Sequence, residues 1–221
     1  MSRMSRDKSE FGLSHVSKGG AHMADQIDHP LFSRFYVRNE AAMERVVGGL
    51  RASQNARANG RTLIIGAGTG LDVEPLGPRV TDVVLLEPDR SMRGELAGRW
   101  PEIPVLASPA EHMDVPDASF DTVLSSLVLC SVRDVDAVLR EIARVLRPDG
   151  QFLFLEHVRH DRLLPRVTQD ALTPLWKVMG AGCHLNRSLQ GALRRSPLRV
   201  ADVRQVRDGW LFPIIAGRAL P

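Results

Sequence analysis

A short apolar run that breaks on alternating glycines, Leu63-Ile64-Ile65-Gly66-Ala67-Gly68-Thr69-Gly70, constrains this chain more than any other stretch. Residues 62–65 read as a buried strand that the glycines end. Without Cβ atoms the backbone turns tightly there and lets a ligand come close. Residues 71–76 read as the start of a helix, whose unpaired N–H groups suit an anionic or polar ligand. A second apolar run over 82–86 ends in Glu87, 21 residues after Gly66. A carboxylate at the tip of a second parallel strand is placed to hold a ribose diol. Loop and acid together point to an adenosyl-type ligand on a doubly wound α/β sheet. The spacing Gly-x-Gly-x-Gly, with Leu71 where a dinucleotide fingerprint has its third glycine, sets it apart from that fingerprint.

Composition narrows the class. At 221 residues the length fits one domain with a substantial core, and 43% apolar with 25% charged residues is a globular balance. The net charge is only +3, with arginines scattered rather than clustered, so no nucleic-acid partner is expected. Cys130 and Cys183 make neither a disulfide framework nor a metal site by spacing. No apolar run is long enough for stable membrane insertion, no signal-peptide core is visible, and a cytoplasmic location is the expectation.

Residues 1–23 are polar, aperiodic and contain Lys8 and Lys18 in a chain that otherwise prefers arginine. They read as a disordered leader or tag ahead of one domain over 24–221. That domain divides into an N-terminal helical cap (24–60), a ligand-binding core (61–158) and acceptor-side helices with final strands (159–221). In the cap, Phe32, Phe35 and Tyr36 precede a helix over 40–52, as either a lid or a staple to the core. Strands are predicted over 62–65, 82–86, 103–107, 120–126 and 151–158. Between them, Asp89 opens a helix to about residue 99, and Asp134 caps one with Val135, Val138, Leu139, Ile142 and Leu146 on one face, stopped by Pro148-Asp149-Gly150. An amphipathic segment over 167–179 carries Pro174 as a break or kink. Asp208-Gly209 joins strands over 200–206 and 210–216 as a hairpin.

Four sequence words, taken in order, resemble the UbiE-like class I S-adenosylmethionine (SAM)-dependent methyltransferases: Ile65-Gly66-Ala67-Gly68-Thr69-Gly70; Leu86-Glu87-Pro88-Asp89; Ala110-Glu111-His112 with Pro116-Asp117-Ala118-Ser119-Phe120-Asp121; and Glu141-Ile142-Ala143-Arg144-Val145-Leu146-Arg147-Pro148-Asp149-Gly150. Leu155-Glu156-His157, Pro174-Leu175-Trp176 and Gly182-Cys183-His184 are similar to the thiol methyltransferase branch. The resemblance implies a Rossmann-like seven-stranded sheet with a C-terminal antiparallel hairpin, SAM as cofactor, and methyl transfer to a small-molecule acceptor, a thiol first among them. It also implies site residues. Gly66, Ala67, Gly68 and Gly70 would line the methionine part of SAM and Glu87 would hold the ribose. Pro88, Asp89 and Met92 would wall the adenine, and the 109–111 loop, with Ala110 and Glu111, would cover its other side through backbone N–H groups. Ser126 and Leu127 would approach the sulfonium, and Tyr36 would belong to the lid. Two positions depart from the family pattern. Ile64 replaces a usual acid, and Pro109 replaces a usual Asp, so a non-catalytic SAM-binding protein is an alternative reading.

Methyl transfer from a sulfonium needs proximity and a path for the acceptor's proton, and no metal. A thiol, with a pKa near ~8.5, needs only a modest base. His157, at the end of the fifth strand, and His184, beside Cys183, are the catalytic candidates. Cys183 itself reads as a buried small apolar residue. Trp176 and Trp210 are candidates for an apolar acceptor pocket or for the core. A natural-product or quinone-type O-, N- or C-methyltransferase is the competing enzyme reading.

Overall fold

Near-continuous apolar runs, rather than alternating ones, are what strands covered on both faces require, and they form the centre of the sheet. The computed structural model describes residues 27–221, so the leader expected over 1–23 lies outside the described residues. Strands β1 (Gly60–Ile65), β2 (Val80–Leu86), β3 (Val105–Leu106), β4 (Phe120–Ser126), β5 (Leu146–His157), β6 (Arg199–Arg207) and β7 (Ile214–Leu220) form a seven-stranded sheet. Their order is β3-β2-β1-β4-β5-β7-β6. The first five are parallel, and β7 inserts antiparallel between β5 and β6. This is the doubly wound sheet with an antiparallel C-terminal pair that the sequence words imply. The strand order reverses beside β1, so the carboxyl ends of β1 and β4 flank the crevice where such sheets bind ligands.

Alternation along the strands sends side chains into different layers. Leu63, Ile65, Val123, Phe152 and Phe154 join Val138, Leu139 and Ile142 of helix α3 (Val135–Val145) on one face. Ile64, Leu85, Leu124 and Leu153 face Leu96 of helix α2 (Arg90–Arg99) on the other. Asp89 and Asp134 cap these two helices by accepting from the backbone N–H groups of Met92 and Ala137, as expected of N-cap acids.

Several boundaries differ from the sequence reading, each for a local reason. Helix α1 runs over Pro30–Asn55, ten residues ahead of the predicted start at 40. Pro30 sits in its first turn, where a missing N–H costs nothing. Phe32 and Tyr36 therefore lie one turn apart on this helix, with ring centroids 6.0 Å apart, rather than before it. Residues 71–76 make successive turns, Val73 N to Gly70 O and Leu76 N to Val73 O, instead of a helix. Pro75 and the Gly77-Pro78 pair leave too short a run to repay helix nucleation. Strand β3 shrinks to Val105–Leu106. Pro148-Asp149-Gly150 falls inside β5, where the register with β4 shifts between Phe120 and Thr122, a place that tolerates proline.

Helix α4 (Leu163–Met179) runs through Pro174 without a break and ends at Gly180. The short helix α5 (Leu189–Arg195) follows. Asp208-Gly209 opens a longer connection over 208–213 rather than a two-residue turn, with Arg207 paired to Ile214. Phe212, drawn onto Trp176 and His157, takes that chain away from the sheet. Among the described residues, no helix is long and apolar enough to cross a membrane.

Candidate functional site

The glycine loop leaves β1 with three glycines in the left-handed region: Gly66 at φ +58°, Gly68 at +55° and Gly70 at +84°. Their surroundings separate their roles. A Cβ on Gly70 would lie 2.5 Å from the Trp100 ring, so this glycine is needed to let α2 pack. A Cβ on Gly68 would meet only the Gly66 carbonyl, at 4.0 Å, so the space beside it is open to a ligand. Thr69 is buried beside it, and its hydroxyl has no partner.

Glu87, at the end of β2, reaches back to this loop. One carboxylate oxygen accepts the Gly68 N–H at 2.8 Å and the other accepts the Asp89 N–H at 2.9 Å. Burial pushes its pKa above the ordinary value, with the two N–H bonds pulling the other way. Each oxygen keeps a lone pair for a hydroxyl. Asp89 holds His29, accepting from its backbone N–H at 2.9 Å, which brings the chain ahead of α1 over the start of α2. Met92 is buried beneath that cap.

At the tip of β4, Leu127 is a non-glycine residue at φ +61°, a strained conformation of the kind that clusters at functional sites. Its N–H is held by Leu155 O at 2.8 Å. The Ser126 hydroxyl donates to Asp72 at 2.6 Å, and Asp72 also accepts from Arg51 at 2.8 Å and from Asn55 at 2.9 Å. Glu156 organises the next turn by accepting from Ser125 at 2.5 Å and from the Val128 and Leu129 N–H groups. Burial pushes this carboxyl up to about 7, against those three bonds.

The segment after α4 straps onto the same turn. The His184 N–H donates to Cys130 O, and the Arg187 guanidinium donates to Leu129 O at 2.7 Å and Val132 O at 2.6 Å. This strap brings together three side chains far apart in sequence. Cys183 Sγ lies 3.0 Å from His157 Nε2 and 3.4 Å from Cys130 Sγ. The sulfur pair shares a proton: the bond to Cys183 and burial push the Cys130 thiol up, while Cys130 and His157 hold Cys183 down to about 4. Cys183 is half-buried and faces two polar partners, where the sequence suggested a buried small apolar residue. An edge-on aromatic wall stands beside the cluster, Phe212 against His157 at 5.7 Å and Trp176 against Phe212 at 5.2 Å.

Known proteins resemble this chain in sequence and in fold. The Methyltransferase domain family matches residues 63–154. Mouse thiol S-methyltransferase TMT1B is 31% identical over 195 residues, which cover 83% of this chain and 76% of that protein. The chain belongs to the class I SAM-dependent methyltransferases. Human thiol S-methyltransferase TMT1A is 36% identical over 104 residues, so the match spans less than half of each chain, 47% of this one and 43% of that one. A solved S-adenosylmethionine-dependent methyltransferase from Mesorhizobium loti, 19% identical, shares the fold with a TM-score of 0.61 over 79% of this chain and 97% of that one.

The methyltransferase's own residues fit its cofactor. The open space at Gly68 and the free lone pairs of Glu87 adjoin where the loop meets β2, since Glu87 holds the Gly68 N–H. Other predicted residues are committed elsewhere. The Ser126 hydroxyl is turned to Asp72. The Glu111 side chain accepts from the Arg133 N–H at 2.7 Å through one carboxylate oxygen. Pro109 has no N–H, and donors from the 109–111 loop reduce to Ala110 and Glu111. Tyr36 is half-buried on α1 near Arg51 and Asp72, and burial pushes its phenol up to about 12. The His184 Nδ1 sits 3.2 Å from both Cys130 O and Arg187, within the strap. Trp210 is 57% exposed and stands apart from the aromatic wall, which Phe212 supplies instead. A cavity of about 530 Å³ between α1 and the 71–75 turns, lined by Glu40, Glu44, Arg51, Glu74 and Arg99, includes none of the predicted cofactor residues. Sequence reasoning missed Asp72, Arg51, Asn55, Phe212 and the Cys130–His157–Cys183 grouping. Of these, the sequence singles out His157 as a catalytic candidate and the two cysteines are noted, but nothing in their spacing joins the three.

Proposed function

We propose that this methyltransferase moves the methyl group of SAM to the sulfur of a small thiol. The observation that carries the reading is the likeness to thiol S-methyltransferases along most of the chain. The cluster of sulfur and imidazole groups past the tip of β4 supports it. In this reading Gly66, Ala67, Gly68 and Gly70 hold the methionine part of the cofactor. Glu87 accepts both ribose hydroxyls. Pro88 and Met92 contact the adenine on one side, and the Ala110 and Glu111 N–H groups face it on the other. Leu127 carries the backbone past the sulfonium, and Tyr36 closes the cleft from α1.

SAM supplies a methyl carbon already activated by positive sulfur. The chain supplies position: it brings an acceptor sulfur in line with that carbon and excludes water with Trp176 and Phe212. The acceptor's proton leaves on the side of His157 and Cys183. His184 serves as a positioning residue, holding Arg187 and the turn that carries Cys130.

Incubation with methyl-labelled SAM and a panel of small thiols, phenols and amines tests the reading. Label recovered as a thioether is the expected result. Label found only on oxygen or nitrogen supports the natural-product or quinone-type alternative, and SAM binding without turnover on any acceptor supports a non-catalytic protein. Either outcome overturns the thiol assignment.

A further inference from the structure

Cys130, His157 and Cys183 come from three different parts of the chain, yet their donor atoms lie within 4.8 Å of one another. We propose that they form a site for a borderline-soft divalent cation of the Zn²⁺ type, with three protein ligands and the fourth position left for an exogenous sulfur. Two sulfurs and one imidazole nitrogen are the ligand set that Zn²⁺ prefers, and three protein ligands mark a catalytic rather than a closed structural site.

The distances agree with that assignment. Ligand atoms about 2.0–2.3 Å from a tetrahedral zinc stand roughly 3.5–3.8 Å from one another. The sulfurs are 3.4 Å apart and the nitrogen is 3.0 Å from Cys183 Sγ, so opening the triangle by about half an ångström admits the ion. A disulfide would require the sulfurs to close to about 2.0 Å and would give His157 no part. Neighbouring donors are already engaged. The Glu156 oxygens hold Ser125, Val128 and Leu129, and the His184 Nδ1 belongs to the Cys130 and Arg187 contacts. No fourth protein ligand stands within reach among the described residues. Cys183 is the half-buried member, so the cluster meets the acceptor side there.

The role of the ion rests on the thiol reading above. A thiol that takes the fourth position is deprotonated outright by coordination, and because His157 and Cys183 are then occupied as ligands its proton passes beyond them to solvent. Its sulfur then forms the new S–CH₃ bond as the cofactor's S⁺–CH₃ bond breaks, leaving a neutral thioether on each side. Cys130 Sγ lies 3.5 Å from Leu127 O, so the site adjoins the strained tip of β4.

The test uses the full chain, reduced and stripped of metal, titrated with Co²⁺ and then with Zn²⁺. The expected result is one equivalent of Co²⁺ with thiolate-to-cobalt charge-transfer absorption. Ligand-field bands should shift when a small thiol is added, and Zn²⁺ should displace the cobalt. Cys183→Ser and His157→Ala should each weaken binding by more than roughly 100-fold, since even outer-shell changes cost 10–100-fold. Retained binding of the demethylated cofactor shows that these variants are folded. Absence of cobalt–thiolate absorption in the folded, reduced protein overturns the site. So does quantitative Cys130–Cys183 disulfide formation in the presence of Zn²⁺ without bound metal. Thiol methylation unchanged after complete metal removal overturns the proposal and leaves the thiol reading standing. Cobalt bands that a thiol shifts, in a protein that methylates only oxygen or nitrogen, overturn the thiol reading instead.

Discussion

The Ser126 hydroxyl donates to Asp72 across 2.6 Å and ties the tip of β4 to the turn that follows the glycine loop. Asp72 is buried, and Arg51 on α1 balances it at 2.8 Å. Removing one partner of a buried pair leaves the other charge uncompensated and typically costs about 3–5 kcal/mol. Arg51→Met should therefore lower the melting temperature sharply, and Asp72→Asn on that background should recover much of the loss. If the two losses simply add in a thermal-unfolding double-mutant cycle, the pair is not coupled as described. Ser126→Ala should cost only about 1 kcal/mol. It should leave affinity for the demethylated cofactor within a few-fold, because that hydroxyl is already committed to Asp72.

Gly68 and Gly70 should respond differently to the same added methyl. Gly68→Ala meets open space and pays only for its left-handed φ, about 1–2 kcal/mol. Its new Cβ occupies the ligand's side of the loop, so cofactor affinity should fall more than stability. Gly70→Ala places a Cβ 2.5 Å from Trp100, and stability should fall by at least about 2 kcal/mol. Parallel calorimetric and thermal-melt titrations distinguish the two. Equal loss of stability in both variants contradicts the open cradle.

Much of this is legible in the sequence alone. The glycine spacing, Glu87 and the apolar runs are local signals, because a buried parallel strand and a tight turn each require particular residue types in series. Asp89 and Asp134 were readable as caps for the same reason. The helix boundary at Pro30 was not, since Phe32 and Phe35 suggested a separate cluster and the first half of α1 has no buried stripe to reveal its period. The grouping of Cys130, His157 and Cys183 was out of reach altogether. It depends on where β4 and β5 end and on Arg187 strapping the 183–187 segment to the 129–132 turn, and no spacing encodes that. Asp72 was hidden in what read as an ordinary helix start.

Glu87 gives pH effects of opposite sign in the free and liganded protein. Its folded-state pKa lies above the ordinary carboxylate value of 4.5, mainly through burial. In the cofactor-free protein its contribution to stability is therefore full below the unfolded value and is lost as pH rises through the folded one. In the proposed binding mode cofactor affinity runs the other way, because the ionised carboxylate is the better acceptor for two ribose hydroxyls. Affinity for the demethylated cofactor should decline as pH falls, beginning above 4.5. Glu87→Gln should flatten that decline. Glu87→Ala should weaken binding by at least roughly 100-fold, since each bond to a charged group is worth about 1.5–3 kcal/mol. A pH-independent affinity in the unmodified protein would contradict the assignment of Glu87.

Arg144 and Glu141 on α3 hold the chain that follows the 109–111 loop. The Glu141 carboxylate accepts the Met113 N–H at 2.8 Å, while Arg144 donates to Met113 O and Val115 O, each at 2.9 Å, and to Glu141 Oε1 at 2.8 Å. The Arg144 hydrogen bond holds the Glu141 carboxyl below its usual value, against partial burial. A depressed folded-state pKa contributes stability that is present above the unfolded value and lost as pH falls through the folded one. Glu141→Gln should therefore cost on the order of 1 kcal/mol at neutral pH and nothing in strong acid. Arg144→Lys is not conservative here, because an ammonium cannot span a carboxylate and two carbonyls as the planar fork does. It should destabilise by about 1–3 kcal/mol. It should also weaken cofactor binding, because the Ala110 and Glu111 N–H groups lie just ahead of the anchored segment. Denaturant titrations at pH 7 and in strong acid, paired with calorimetry, measure both effects. Full retention of stability by Arg144→Lys would show that charge alone, rather than the forked geometry, holds this loop.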